Sequence, residues 1–306
     1  MNLQQISGGE PLTNAFITEM IGQNPMLAYL LFYRIVGNAD KLRKASKASG
    51  GKYRDVNSDF PENKVDPEWA QPSLTIMGDK IQVDQSHERR GADVPSVRAR
   101  KLNAFAREMA RFMAAEVCEG DATGGRLAGF TTVTPAAQKI WAKSSSTALT
   151  LSPGNSDTKR TTQAEFLEKV MEVMAMVEGG PTALIMSPAL AARITTVAAE
   201  FVQWQTTDFG KLLPFINGVP VIGAGYKQDG STILGSASQG SISGGAQSIF
   251  AVRFGEGTDL TYATNIGLMV KDLGVVGVHY THNVELDIAT ALENDRAIAE
   301  LRGIKL

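Results

Sequence analysis

Cysteine is almost absent from this 306-residue chain, Cys118 being the single one. A lone thiol cannot pair within its own chain, so a disulfide framework of the secreted kind is excluded. Cys118 follows Ala114, Ala115 and Val117 at the end of a helical pattern, the setting of a buried, inert thiol rather than a reactive one. Histidine is scarce too: His87, His279 and His282. His279 and His282 have a spacing that suits one helix face, but the pattern around them is that of a strand, where it means opposite faces. Surface or subunit-interface histidines are therefore expected, and no zinc site. An excess of one charge is also lacking, because 30 Lys and Arg face 32 Asp and Glu, a formal net charge of −2. A chain that lives by gripping nucleic acid carries a basic excess, so any contact with DNA is expected to be local and non-specific. No apolar run is long enough to span a bilayer. Residues 1–5 lack the basic region and apolar core of a signal peptide. The expectation is synthesis and residence in the cytoplasm, with no membrane partner.

Motifs for catalysis are missing in turn. Gly51-Lys52 and Gly210-Lys211 lack both the upstream glycine and the following hydroxyl of a phosphate-cradling loop. Gly223-Ala224-Gly225 lacks the third glycine of a dinucleotide turn. Gly240-Ser241-Ile242-Ser243-Gly244 puts isoleucine where a nucleophile elbow needs serine. A Ser-His-Asp or Cys-His arrangement assembled from distant residues stays open, with nothing local to promote it. No catalytic residue, cofactor or metal ligand is singled out, and the chain is expected not to be an enzyme.

What is present is ample material for a core. Hydrophobic residues make up 43% and charged ones 20%, which argues for a packed protein of one large or two modest domains. Residues 1–28 mix Gly8-Gly9, Pro11, Phe16, Ile17, Met20, Ile21 and Asn24-Pro25. They read as a loose arm with a short helical turn, or as a frayed terminus. Residues 29–85 open on the β-prone stretch 29–36 and Gly37-Asn38, then carry the cations Lys41, Arg43, Lys44, Lys47, Lys52 and Arg54, broken by Gly50-Gly51. The acids Asp55, Asp59, Glu62, Asp66 and Glu68 follow, and the β-like 74–77 and 81–83 close the segment. Two β-prone flanks around a polar, glycine-centred middle suit a long projecting hairpin; a solvated charged loop is the alternative. Such a hairpin buries little of itself and needs a partner surface to stay ordered.

Residues 93–119 carry the clearest helical pattern. Asp93 and Pro95 are start signals, and Gly120 stops it. Leu102, Phe105, Met109, Phe112, Met113 and Val117 make one apolar face. At about 1.5 Å per residue the helix is roughly 40 Å long. Residues 120–160 are turn-rich. Thr162-Gln163-Ala164-Glu165 has the form of a capping box opening a helix that Gly179-Gly180 ends. Residues 183–186 form a short buried strand, and Ser187-Pro188 begins a helix reaching about Trp204. Beyond Gly218 the β character rises, with strands at 219–222 and 249–254 and a serine/glycine-rich surface turn at 235–245 between them. Residues 276–288 alternate as one long strand, and 293–303 read as a turn or short helix. With no solenoid repeat and no flexible linker, the order suggests an α+β plate with an inserted lobe.

Several segments, taken in order, resemble the major capsid proteins of tailed bacteriophages, the Hong Kong 97-type fold. Asn24-Pro25-Met26-Leu27 with Leu31-Phe32 looks like that family's entry into its extended loop, and residues 76–84 like the return strand. Residues 105–121 resemble its long spine helix with the closing Glu119-Gly120-Asp121, and Leu127-Ala128-Gly129-Phe130 its following turn. Residues 183–188 and 218–222 resemble strands of the axial lobe, joined by 249–256, 267–274 and 293–304. The resemblance implies an N-terminal arm (1–28), an extended β-hairpin loop (29–85), a peripheral domain with a long spine helix and long β-strand (86–135 and 275–306) and an axial α/β domain (136–274). It implies a structural subunit that assembles with itself into pentamers and hexamers of an icosahedral head around double-stranded DNA, first in the host cytoplasm and finally in the virion. Portal and decoration proteins are the partners expected with it. The chain starts almost at the arm, so a scaffolding protein is expected to be separate. Some relatives cross-link a loop lysine to a neighbour's asparagine; Lys41, Lys44, Lys47 and Lys52, and Asn283 and Asn294, lie in the corresponding regions, but no pair aligns. The basic limb from Lys41 to Arg54 is expected to dock on an acidic surface of an adjacent copy. An encapsulin-like compartment and a soluble α/β enzyme are the rival readings.

Overall fold

A computed structural model of the chain describes residues 1–7, 9–37, 42–44, 53–59, 68–70, 73–91, 93–151, 156–199, 201–206 and 212–306. The N-terminal part contains α1 (Pro11–Gln23), β1 (Phe32–Arg34), β2 (Leu42–Lys44), β3 (Glu68–Ala70), β4 (Thr75–Asp84), α2 (Ser86–Arg89) and α3 (Val94–Glu119). The middle follows with α4 (Phe130–Val133), β5 (Lys139–Trp141), β6 (Leu149–Thr150), α5 (Asp157–Met176), β7 (Ala183–Met186), α6 (Pro188–Val197), β8 (Val202–Thr206), β9 (Leu212–Ile216) and β10 (Val219–Gly223). The rest is β11 (Ala237–Gln239), β12 (Ile242–Val252), β13 (Leu260–Thr264), β14 (Leu268–Val276), β15 (His279–Leu292) and β16 (Ile298–Lys305).

Two sheets carry the molecule. In the first, the long β15 pairs antiparallel with β4 over ten positions, from Thr75↔Ile288 to Asp84↔His279. It also pairs antiparallel with β13 and β14, and β1 adds in parallel to β13. The second sheet runs β5-β16-β12-β7-β10-β9-β8, with β6 on β16 and β11 on β12. Its centre is buried on both faces: Ala183 and Ile185 of β7 join one core, Leu184 and Met186 the other. The first core packs α1 and α3 against both sheets, through Ile17 and Met20 of α1 and Ala106, Met109, Ala110, Met113 and Val117 of α3. The second packs Phe166, Val170 and Val173 of α5 and Leu190 and Ile194 of α6 against the far face. Among the described residues β2 and β3 pair with each other alone, Arg43 opposite Trp69.

The long helix lies where its pattern predicts, with three adjustments to its surface. Phe112 is 38% exposed, and Ala106, Ala110 and Ala114 complete the buried face instead. Asp93 sits at the N-cap without a side-chain cap bond. Small side chains let other helices and strands approach closely here.

Elsewhere several expectations are corrected. Residues 1–28 are not a loose arm with a short helical turn. Pro11 opens a 13-residue helix, and Leu3, Ile6, Ile17, Met20, Met26 and Leu27 are wholly buried. Phe16 rests on Phe105 of α3 with ring centroids 6.1 Å apart. α5 starts at Asp157, after the N-cap Ser156, so Thr162 and Glu165 lie inside it rather than at a capping box. α6 stops at Val197, and Trp204 belongs to β8. The serine/glycine stretch 235–245 is not a free turn but holds β11 and the start of β12, paired antiparallel. Gly277, at φ +66, turns the chain between β14 and β15, so the alternation from 276 to 288 spans a hairpin rather than one strand. The stretch read as a turn or short helix at 293–303 contains β16, and that strand sits beside β12 in the sheet that also holds β5–β10. Its residues Ile298, Ala299, Leu301 and Ile304 are fully buried, and a strand covered on both faces shows no polar alternation.

The end of α3 requires glycine. A Cβ on Gly129 would lie 2.5 Å from the Gly120 nitrogen and 2.7 Å from the Glu116 oxygen. Gly129→Ala should therefore lower stability by about 3 kcal/mol, because backbone must move. Gly22→Ala, on the open side of α1 with nothing within 4 Å of the new methyl, should raise it by about 0.5–1 kcal/mol; denaturant midpoints of the two variants check both signs. Cys118 is wholly buried, and burial pushes its thiol well above the ordinary cysteine range. It should stay unlabelled by a thiol reagent until denaturant unfolds the chain, as mass spectrometry would read.

Candidate assembly surface

Of the six cations singled out in the sequence, Lys41, Lys47 and Lys52 lie outside the described residues. Arg43 and Lys44 belong to β2, whose register sets Lys44 opposite Glu68 of β3. Arg54 is exposed, and its Nη1 donates to the Ser58 carbonyl at 3.0 Å. Around Arg54 the segment 53–59 offers side chains to solvent: Tyr53 and Val56 are wholly or almost wholly exposed. The acids Asp55 and Asp59 follow Arg54 directly and are exposed on the same short segment.

Two further exposed apolar surfaces escaped the sequence reading. At the turn of the β14–β15 hairpin, Leu273, Val275, Val276 and Val278 are all at least 40% exposed. At the outer edge of the second sheet, Phe201, Trp204 and Leu212 are each more than half exposed. β8 is the last strand there, and the described residues 201–206 and 212–216 carry no charge. Monomeric proteins guard such edges with charge, and grouped apolar exposure marks surfaces made for contact. Alternation alone could not find them, since an exposed apolar residue reads like a buried one.

The helix α3 is bolted to its surroundings by charge at both ends. At its start, Arg98 Nη2 donates to Asp272 Oδ2 of β14 at 2.5 Å and lies 3.2 Å from His282 Nε2 of β15. The guanidinium stands over the Tyr280 ring, 5.2 Å from its centroid. Burial, reinforced by Arg98, pulls the His282 imidazole below its ordinary range, against the opposite pull of Asp272. The Asp272 carboxyl is held low by the Gly274 amide and Arg98, which outweigh its partial burial. At its end, Glu116 is buried and accepts from Arg126 at 2.6 Å, while Glu119 accepts from the Leu234 amide and pairs with Lys227, each at 2.6 Å. A polar groove of about 650 Å³ opens beside this end, lined by Ser236, Ser238, Gln239, Glu300 and Arg302. Its charges answer one another: Glu300 accepts from Ser248 Oγ at 2.8 Å and lies 2.9 Å from Arg302 Nε.

Among the described residues no three His, Cys, Asp or Glu side chains gather as metal ligands. No described helix is long and apolar enough to cross a membrane. His279 and His282 both lie in β15 and face different partners: His282 faces Arg98, whereas His279 sits in register with Asp84 of β4. Asn283 donates to Glu285 and Asn294 to Glu178 within the subunit.

No family model matches this sequence, and no curated protein matches it. Solved structures do. The SrpI encapsulin complex from Synechococcus elongatus PCC 7942 superposes with a TM-score of 0.61 at 14% identity, covering 92% of this chain and 87% of that one. The capsid of a native GTA particle gives 0.59 at 14% identity, covering 94% and 90%. A chain of Microbacterium phage Oxtober96 gives 0.54 at 13% identity, covering 91% and 90%. At such identities the shared property is the path of the backbone, and that path is the α+β Hong Kong 97-type capsid fold.

Proposed function

We propose that this chain is a shell subunit, the major capsid protein of a tailed double-stranded-DNA bacteriophage. The observation that carries the reading is the match of more than nine-tenths of the chain to subunits of closed particles. The exposed apolar groups at three separate places support it, since a subunit surrounded by copies of itself covers such groups in several directions. In this reading pentamers and hexamers close an icosahedral head in the host cytoplasm and persist in the virion. The genome touches the shell through scattered, non-specific phosphate contacts, consistent with a formal charge of −2. A separate scaffolding protein, a portal and decoration proteins are the accompanying partners, and no membrane takes part. The mechanism is geometric: many weak contacts, each of modest area, set register and curvature together.

An encapsulin-like compartment is the second reading, favoured by the TM-score of 0.61 with the SrpI complex. Negative-stain images of the expressed chain should show closed, uniform particles. Double-stranded DNA inside particles recovered from their natural setting supports the phage reading, and an enzyme cargo supports the other. Material that stays monomeric at every concentration would rule out both. Within the shell reading, the limb from Lys41 to Arg54 docks on an acidic surface of the next copy. Replacing Lys41, Arg43, Lys44 and Lys47 by glutamate should abolish particles while leaving the circular dichroism and unfolding midpoint of the subunit unchanged; normal particles from that variant would refute the docking.

A further inference from the structure

The junction between the start of α3 and the β14–β15 hairpin holds one carboxylate within reach of a guanidinium and an imidazole. Asp272 Oδ2 is 2.5 Å from Arg98 Nη2 and 3.7 Å from His282 Nε2. Its other oxygen accepts the Gly274 amide at 2.8 Å, at the point where the register of β14 shifts against β15. That bond orients the carboxylate and leaves Oδ2 toward Arg98 and His282. Arg98 has only N–H groups to offer, so His282 Nε2, 3.2 Å away, must present a lone pair to it. The ring is therefore neutral in this arrangement. Its proton sits on Nδ1.

We propose that His282 works a latch: its neutral ring helps to hold Arg98 on Asp272 and so fastens the first turns of α3 to the hairpin, whereas its protonated ring takes Asp272 for itself and turns Arg98 out. A proton on Nε2 removes the lone pair that Arg98 uses and sets two cations 3.2 Å apart. The nearby Oδ2 then becomes a partner for the new N–H after closing only part of the 3.7 Å gap. Because His282 is 6% exposed, the imidazolium cannot be solvated where it lies and needs that carboxylate. The Arg98 and Asp272 side chains are 24% and 46% exposed, so the displaced guanidinium has water beside it. Among the described residues no other charge acts on the ring. From α3 it meets Arg98 and from β14 Asp272. The register of β4 puts Ile81 opposite it, and Lys101 of α3 is turned to the Gln82 carbonyl at 3.1 Å. The aromatic floor under Arg98 is tied in turn to α2, because Tyr280 OH donates to Glu88 Oε2 at 2.9 Å.

The direction of the pH effect follows. Burial holds the folded imidazole below its ordinary value of about 6.5, so the latch is intact above that value and is lost as pH falls through the folded one. The latch is a property of the single folded subunit and stands independently of the shell reading.

Hydrogen–deuterium exchange on the whole chain tests it, with rates converted to protection factors at about pH 7.5 and at about one pH unit below the His282 midpoint located by NMR titration. Residues 97–102 and 270–276 should lose protection roughly tenfold at the lower pH, and β7 and β12 should not. In His282→Gln, whose amide oxygen can still accept from Arg98 but cannot titrate, the loss should shrink to less than about twofold. Unchanged protection of the parent chain at the lower pH overturns the proposal, as does an equal loss in His282→Gln. Should that variant fail to fold, NMR titration of the His282 ring in Arg98→Gln decides. Removal of the neighbouring cation should move the ring's titration to higher pH, and an unmoved or lowered titration would overturn the latch.

Discussion

Everything in this subunit hangs on the apolar stripe of one 26-residue helix. α3 offers alanines and methionines to α1 on one side and to strands of both sheets on the other. Removing that face from water is the term that joins the first sheet to the second, since the two share no strand. The stripe is built from small and flexible side chains, which let elements crossing at different angles approach the same helix. Its ends are then held by charge, Arg98 at the start and Glu116 and Glu119 at the finish. Ion pairs with one exposed partner add little to stability. Their effect is directional, setting where along the sheets the helix sits.

Surface and interior divide the chemistry cleanly. Part of the described interior pairs its polar groups internally, Glu300 with Ser248 and Ser187 with Gln247 and the Leu190 amide, while the buried Thr261, Tyr262 and Thr281 hydroxyls lack a hydrogen-bond partner. Exposed apolar side chains gather at Tyr53 and Val56, at Leu273, Val275, Val276 and Val278, and at Phe201, Trp204 and Leu212. A protein built for a small ligand has the reverse arrangement, with a concave apolar pocket and convergent polar groups. The groove beside Glu300 is open and polar, with its charges already matched.

How much of this could be read beforehand depends on which faces water touches. The long helix, the strand 183–186 and the cap at Ser187 were legible because one side is buried and the other wet, or because a capping hydroxyl stands before proline. Ser187 Oγ does accept the Leu190 amide, at 3.2 Å. β16 was not legible, because both its faces are dry and period two disappears. The hairpin turn at Gly277 was hidden because Val276, Val278 and Tyr280 continue an alternation across it, although the turn sends the chain back. The fold family was legible from the order of many weak segments, which is a statement about topology rather than about any residue. The cluster of Arg98, Asp272 and His282 was beyond reach: its members are up to 184 positions apart, and only the register of β14 on β15 brings them together.

The strand pairings also dictate when the subunit can fold. β1 is bound by β13, Phe32 against Tyr262, and β5 lies beside β16, Ile140 against Leu301. Early and late segments thus complete each other in both sheets, and neither sheet can close until those late strands have been made. Contacts of such long range form slowly and leave unpaired strand edges waiting. Nascent copies made close together on one message would present those edges, and the uncharged β8, to one another before any has finished. On the shell reading, association must be withheld until then, and the late arrival of β13 to β16 sets the length of that wait.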